Sequence, residues 1–184
     1  MTDINTAQGR ARRTAAASTQ AGGDHDQLTS VVELIFFAYR DFTGESDAVL
    51  TAYGFGRAHH RVLHFVTWRP GLRVADLLEI LNITKQSLAR VLKQLVDRGF
   101  IMQEAGEADR RERRLFPTAQ GRKLAEQLRA LQTGRIATAL EDIEPEARPA
   151  ALRFLLAITA QAHRDDIERA LTTAGLKVAP PRRR

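Results

Sequence analysis

The sequence predicts a mainly α-helical chain with one small β-hairpin. Three observations carry this. Apolar residues recur at helical spacing through most of 28–173. Strand-like runs are confined to 100–104 and 113–117, on either side of a polar, glycine-containing stretch. The excess of basic side chains in the central part of the chain surrounds that hairpin.

Residues 1–25 are rich in Ala, Thr, Gln and Gly and nearly lack large apolar groups, so they read as a disordered arm. From 28 to 39, Leu28, Val31, Val32, Ile35, Phe36 and Tyr39 fall at helical spacing. Leu34 and Phe37 widen that stripe beyond one modest face, and a helix apolar on most sides is usually buried in something. A partner subunit is the candidate. Gly44 is expected to break this helix and Ser46 to cap the next, over about 47–68, with Gly54 and Gly56 inside it. Pro70-Gly71 ends the segment.

A short helix over 74–81 turns Leu77, Leu78 and Leu81 inward. Asn82-Ile83 makes a tight turn, and Thr84 caps a helix over about 85–98 whose inner stripe is Leu88, Val91, Leu92, Leu95 and Val96. Gly99 follows as a left-handed terminator. The strands 100–104 and 113–117 then pair as a two-stranded ribbon, with Pro117 at its end. Thr118 caps a long helix to about 142. Pro145 and Pro149 bracket a linker, and a last helix spans about 150–173.

Composition removes several function classes. The 184 residues include no cysteine, which excludes disulfides, thiolate metal sites, a cysteine nucleophile and a thiol switch. No apolar run is long enough for a membrane span. The first residues lack a basic segment followed by an apolar one, so a cytoplasmic protein is expected. The formal charge is +6, unevenly placed: 26–56 carries −4, 57–114 carries +5, 115–176 is neutral and 177–184 carries +4. A positive middle in a nearly neutral chain fits a nucleic-acid footprint.

Helix, three-residue turn, helix and hairpin make the layout of a winged helix-turn-helix. The first helix packs across the second, which enters the major groove with its N-terminal residues against base edges. Facing outward on that second helix are Lys85, Gln86, Ser87, Ala89, Arg90, Lys93, Gln94 and Asp97. Gln86 can pair with adenine, and Lys85 and Arg90 can reach guanine or phosphate. Thr84 and Ser87 can donate to phosphate, and Lys93 lies on the same side. The bland alternative is a solvated helix face. At the hairpin tip, Asp109-Arg110-Arg111-Glu112-Arg113-Arg114 holds four arginines in six residues. Strand alternation separates Arg111 and Arg113 from Arg110 and Arg114. One pair can enter a narrow minor groove while the other pairs with Glu107, Asp109 or Glu112. Asp109 then braces an arginine, because a carboxylate against phosphate is repulsive.

The run from Pro70 to Leu124 resembles the MarR family of bacterial transcriptional regulators. Its most specific piece is 109–118, Asp-Arg-Arg-Glu-Arg-Arg-Leu-Phe-Pro-Thr, followed by Gly121. Two positions depart from the family's habit. Arg73 stands where a capping Thr or Ser is common, so this helix starts less securely or Arg73 reaches phosphate. Pro117 stands where an apolar strand residue is common. The resemblance implies a homodimer on pseudo-palindromic promoter DNA. It also implies a small anionic or aromatic effector between the dimerisation and DNA-binding parts, and no required cofactor. The expected organisation is an arm over 1–25, a helical dimerisation region over 26–68 and 119–175, the winged module over 69–118 and a basic tail over 176–184. The dimer contacts are assigned to Val32, Ile35, Phe36, Leu152, Leu156 and Ile167. The location implied is the bacterial cytoplasm, associated with the nucleoid.

Other readings are weaker. His60 and His64 share a helix face and could bind a metal if His163 or a carboxylate converged on them, but packing roles fit them as well. Nucleotide-binding, zinc-protease and serine-hydrolase motifs are lacking, so an enzyme is not expected. The rival of a different class is a protein-interaction module of the same fold that has lost DNA binding.

Overall fold

A computed structural model describes the backbone of residues 4–106 and 112–173, with side chains from His25 onward except at 162, 163, 165, 166, 170 and 173. The described elements are α1 (Ile4–Thr51), α2 (Arg57–Trp68), β1 (Leu72–Arg73), α3 (Val74–Leu81) and α4 (Lys85–Asp97). They continue with β2 (Ile101–Ala105), β3 (Arg113–Pro117), α5 (Ala119–Glu141), α6 (Arg148–Ile158) and α7 (Gln161–Thr173). The fold is that of a mostly helical winged helix. None of the helices is long and apolar enough to cross a membrane among the described residues. The chain divides into two units, one up to Glu45 and one from Ser46.

The first unit is the N-terminal part of α1. Helix extends back to Ile4, into the stretch read from composition as a disordered arm. That stretch has five alanines between 7 and 17 and no proline, so nothing local forbids helix. Its apolar side chains are largely open: Leu28, Val32, Leu34, Ile35, Phe36 and Phe37 are all exposed, Phe36 at 71%.

The second unit holds the core. Val62, Leu63 and Val66 of α2 pack in one cluster with Leu77 and Leu81 of α3, Leu88, Val91, Leu92 and Leu95 of α4, Phe100, Ile101, Leu115, and Leu124 and Leu128 of α5. The break expected at Gly44 falls ten residues later. Gly44 is simply helical, whereas Gly54 takes φ +61° and Gly56 is the N-cap of α2. Thus 47–51 completes α1 instead of opening the next helix.

The sheet has three strands in the order β1-β3-β2, all antiparallel, where two were expected. Leu72 pairs with Leu115 and Arg73 with Arg114, while β2 runs from Ile101 opposite Pro117 to Ala105 opposite Arg113. Pro117 is buried at the end of β3, as its missing N–H allows.

The C-terminal region also differs from the expectation. Pro149 lies inside the first turn of α6, where a missing N–H costs nothing, so it does not bound a linker. Arg148 beside it donates to the carbonyls of Leu140 and Ile143, satisfying the open end of α5. The single helix expected over 150–173 is interrupted at Thr159 and Ala160. There Arg164 donates to the carbonyls of Ala157 (2.6 Å) and Thr159 (3.0 Å), replacing helical N–H donors. The basic tail over 176–184 lies outside the described residues.

Candidate nucleic-acid interface

Three local devices place α4. Asn82 adopts the left-handed conformation (φ 48°, ψ 51°), which lets α3 end and the chain reverse within three residues. Thr84 has the extended backbone of an N-cap. Its Oγ1 accepts from the Ser87 N–H at 3.2 Å and donates to Ser87 Oγ at 2.9 Å. At the other end Gly99 takes φ +74°. Arg61 of α2 donates to the Leu81 carbonyl at 2.9 Å, which fixes the end of α3 against α2.

The start of α3 is secured despite its arginine cap. Arg73 makes no side-chain cap hydrogen bond, but its guanidinium grips Asp76 through Nε (2.8 Å) and Nη2 (2.5 Å). This bidentate bond, and a further one from the Arg73 backbone N–H, hold the Asp76 carboxyl below the usual range. Asp76 therefore supplies one half of a capping box from the helix side. Arg73 also lies 3.9 Å from Glu112, so the helix start is secured without a capping Thr or Ser.

On α4 the buried residues Leu88, Val91, Leu92 and Leu95 face the core, and Lys85, Gln86, Ser87, Arg90 and Lys93 are exposed. Lys93 carries an ion pair with Asp97 at 2.5 Å. Being solvent-exposed, that pair is weak and readily exchanged for phosphate. Gln94 is exposed as expected, and its Oε1 lies 2.6 Å from His59 Nε2 of α2.

Between α4, α3 and the sheet runs an open groove of about 400 Å³. Lys85, Ala89 and Lys93 line one wall, Gln103 of β2 and Arg113 of β3 the other. Along β3, Arg114 pairs with Glu112 at 3.0 Å, so its charge is offset, while Arg113 faces the groove. Asp109, Arg110 and Arg111 lie outside the described residues, and with them the proposed bracing at the tip.

The histidines occupy a different place. His60 and His64 line a cavity of about 70 Å³ between α2 and α5, with Thr67, Trp68, Ala125, Arg129 and Gln132. Burial lowers the basicity of both imidazoles. For His60 the neighbouring His64 adds to this and Asp47 opposes it, and for His64 the Arg129 charge adds to it. Among the described residues no group of three His, Asp or Glu side chains is placed to hold a metal.

The residues assigned to dimerisation separate into three kinds. Val32, Ile35 and Phe36 are exposed, Leu152 and Ile167 are half-buried, and Leu156 is only 4% exposed, so it belongs to the interior of the single chain. The open apolar surface of α6 is formed by Phe154, Leu155 and Ile158, which sequence reasoning did not select.

Residues 53–112 match the MarR family profile. The chain is 43% identical over 122 residues to the HTH-type transcriptional regulator PetP of Rhodobacter capsulatus, covering 66% of this chain and 74% of that protein. The fold is similar to a MarR family regulator of Listeria monocytogenes complexed with 26mer DNA (TM-score 0.62, 19% identity, 81% of this chain and 97% of that one). It is also similar to a MarR family protein of Mycobacterium tuberculosis in complex with salicylic acid (TM-score 0.50, 25% identity, 68% and 93%). With a capped α4 beside a three-stranded wing sheet and this kinship to PetP, the chain belongs to the MarR family of DNA-binding transcriptional regulators.

Proposed function

We propose that the chain works as a homodimer that reads pseudo-palindromic double-stranded promoter sites in the bacterial cytoplasm, associated with the nucleoid. The carrying observation is a capped helix with exposed Lys85, Gln86, Ser87 and Arg90, whose Lys85 and Lys93 share a groove with Arg113. Gln86 and Arg90 have the donor and acceptor patterns for adenine and guanine edges. Thr84, Ser87 and Lys93, with the wing residues Asp109, Arg110, Arg111, Arg113 and Arg114, supply phosphate and minor-groove contacts or brace them. The dimer reading draws on the row of exposed apolar side chains from Leu28 to Phe37 in α1 and on Phe154, Leu155 and Ile158 of α6. Obligate dimers bury about 2,000–5,000 Å² of mostly apolar surface.

The effector site is assigned to the cavity between α2 and α5, within the helical region rather than between it and the winged module as expected. Trp68 offers an aromatic wall, Arg129 a cation that it would share between Glu126 and a ligand, and Thr67 Oγ1 is buried without a hydrogen-bond partner. A small aromatic carboxylate suits that set. At about 70 Å³ the cavity is far below the roughly 300 Å³ or more of ordinary ligand pockets. Such a ligand therefore has to part α2 from α5, and that coupling is what would let it alter the separation of two reading helices. No cofactor is required.

Selection of duplexes from a random pool by the full chain, followed by titration with and without salicylate, tests this reading. Enrichment of an inverted repeat with half-sites about 10 base pairs apart is expected. Binding of all duplexes alike would leave only a non-specific DNA binder, and no binding at all would leave the interaction module.

A further inference from the structure

We propose that His59 is a positioning residue for base recognition: by bridging the start of α2 to Gln94, it sets the roll of α4 and hence where Gln86 and Arg90 meet the bases. The proposal rests on the reading of α4 as the recognition helix.

The chemistry of the bridge is directional. Gly56, the N-cap of α2, has no side chain to offer its helix. The Gly56 backbone N–H donates to His59 Nδ1 at 3.1 Å, so Nδ1 carries the lone pair and the ring is the Nε2–H tautomer. Nε2–H therefore donates to Gln94 Oε1, at 2.6 Å. The imidazole plane is held by stacking on Phe55, with ring centroids 4.6 Å apart and planes 15° from parallel.

A second tie acts on the same ridge of α4. Residues 86, 90, 94 and 98 are spaced four apart and form one row, which winds slowly around the helix. Its first two members face outward. Gln94 is fastened to the first turn of α2 and Arg98 to the turn before it. Arg98 donates to the Tyr53 carbonyl and lies over the Phe55 ring, 4.7 Å from the centroid. The row that reads is thus the row that is anchored. A roll of about 10° about the axis of α4 moves a side-chain end by about 1 Å, given a helix radius of about 5–6 Å with side chains. That is enough to misalign a bidentate base contact. Gln94 is exposed, so water can satisfy its amide when the bridge is lost. Direction is lost with it, while the fold is not.

The test uses the full chain, a duplex enriched by the wild type from a random pool, and a scrambled duplex of the same composition. His59→Phe keeps the stack on Phe55 and removes both hydrogen bonds. Gln94→Met changes only a surface side chain and cannot unfold the core. Each is expected to lower the specific-to-scrambled affinity ratio about ten-fold, the size of one good base contact. Scrambled-duplex affinity should change less than about two-fold, and the double variant should be no worse than either single one. An unchanged ratio in Gln94→Met overturns the proposal, as does a double variant whose loss is the product of the two. So does a parallel fall of both affinities together with the melting temperature. A wild type that enriches no duplex overturns the reading of α4 itself, an outcome distinct from a wild type that selects and variants that select equally well.

Discussion

Gly121 stands so close to Phe100 that a Cβ added to it would lie 2.0 Å from the Phe100 carbonyl oxygen. The approach is built by Thr118, whose Oγ1 donates to the Gly99 carbonyl at 2.6 Å and accepts from the Gly121 N–H at 3.0 Å. Its backbone N–H donates to Phe100 O at 3.1 Å. Helix propensity alone favours Gly121→Ala by up to about 1 kcal/mol. The backbone clash predicts the opposite sign, a loss of about 1–3 kcal/mol or more. Gly134, on the same helix with nothing within 4 Å of its Cβ position, is the control. Gly134→Ala should gain about 0.5–1 kcal/mol. Urea denaturation of the two variants reads both signs.

The arginines of β3 should not be equivalent. Arg114 is offset by Glu112, and Arg113 faces the groove. Arg113→Ala should weaken binding to all duplexes and lower the salt slope by about 0.9 per lost phosphate contact in each protomer. Arg114→Ala should do less. Arg90→Ala should instead relax sequence choice by about 1–3 kcal/mol. Titrations of selected and scrambled duplexes at several salt concentrations separate the three.

Acid should loosen the contact between α2 and α5. His60 and His64 are both held less basic than a free imidazole, so the unfolded chain takes up their protons first. The stability they contribute is complete above about pH 6.5, and it is lost as the pH falls through the lower folded values. His64→Gln should flatten that limb of the stability–pH curve, followed by thermal unfolding between pH 7.5 and 5. On the effector reading, an aromatic carboxylate in the cavity would favour the imidazolium forms, so its affinity should rise as the pH falls.

On the dimer reading, Phe36→Asp should shift the sedimentation coefficient toward the monomer. Leu156→Asp is a different experiment, because Leu156 is already interior to one chain. A charge there should unfold the protein rather than merely separate copies.

The parts of the fold visible from the sequence are those fixed within a few residues. Thr84, Gly99 and Thr118 announce themselves because a cap or a terminator needs only its own neighbours. Gly44 and Gly54 look alike in the sequence, and only tertiary contacts distinguish them. Arg98, more than forty residues later, donates to the Tyr53 carbonyl and fixes the turn at Gly54. Strand β1 has two residues, too few for any periodicity, and exists because β3 is there to receive it. The break at Thr159 carries no proline or glycine and depends on Arg164 reaching back. In the site, the outward row of α4 was legible from the spacing of its leucines and valines. Gln94 is outward as its spacing predicts, but its bond to His59 was not legible, because the partner is a histidine on another helix.

The short strand at Leu72–Arg73 has a consequence for regulation. It ties the entrance of the helix-turn-helix to the wing, with the Gly71 N–H bonded to the Leu115 carbonyl at 2.8 Å and Arg73 reaching Glu112 as well as Asp76. The helix-turn-helix and the described part of the wing are therefore fastened together through β1. On the proposed effector reading, a ligand between α2 and α5 changes when this joined part is presented to DNA and not which bases it prefers, so the preferred site should stay the same at every effector concentration while its occupancy varies.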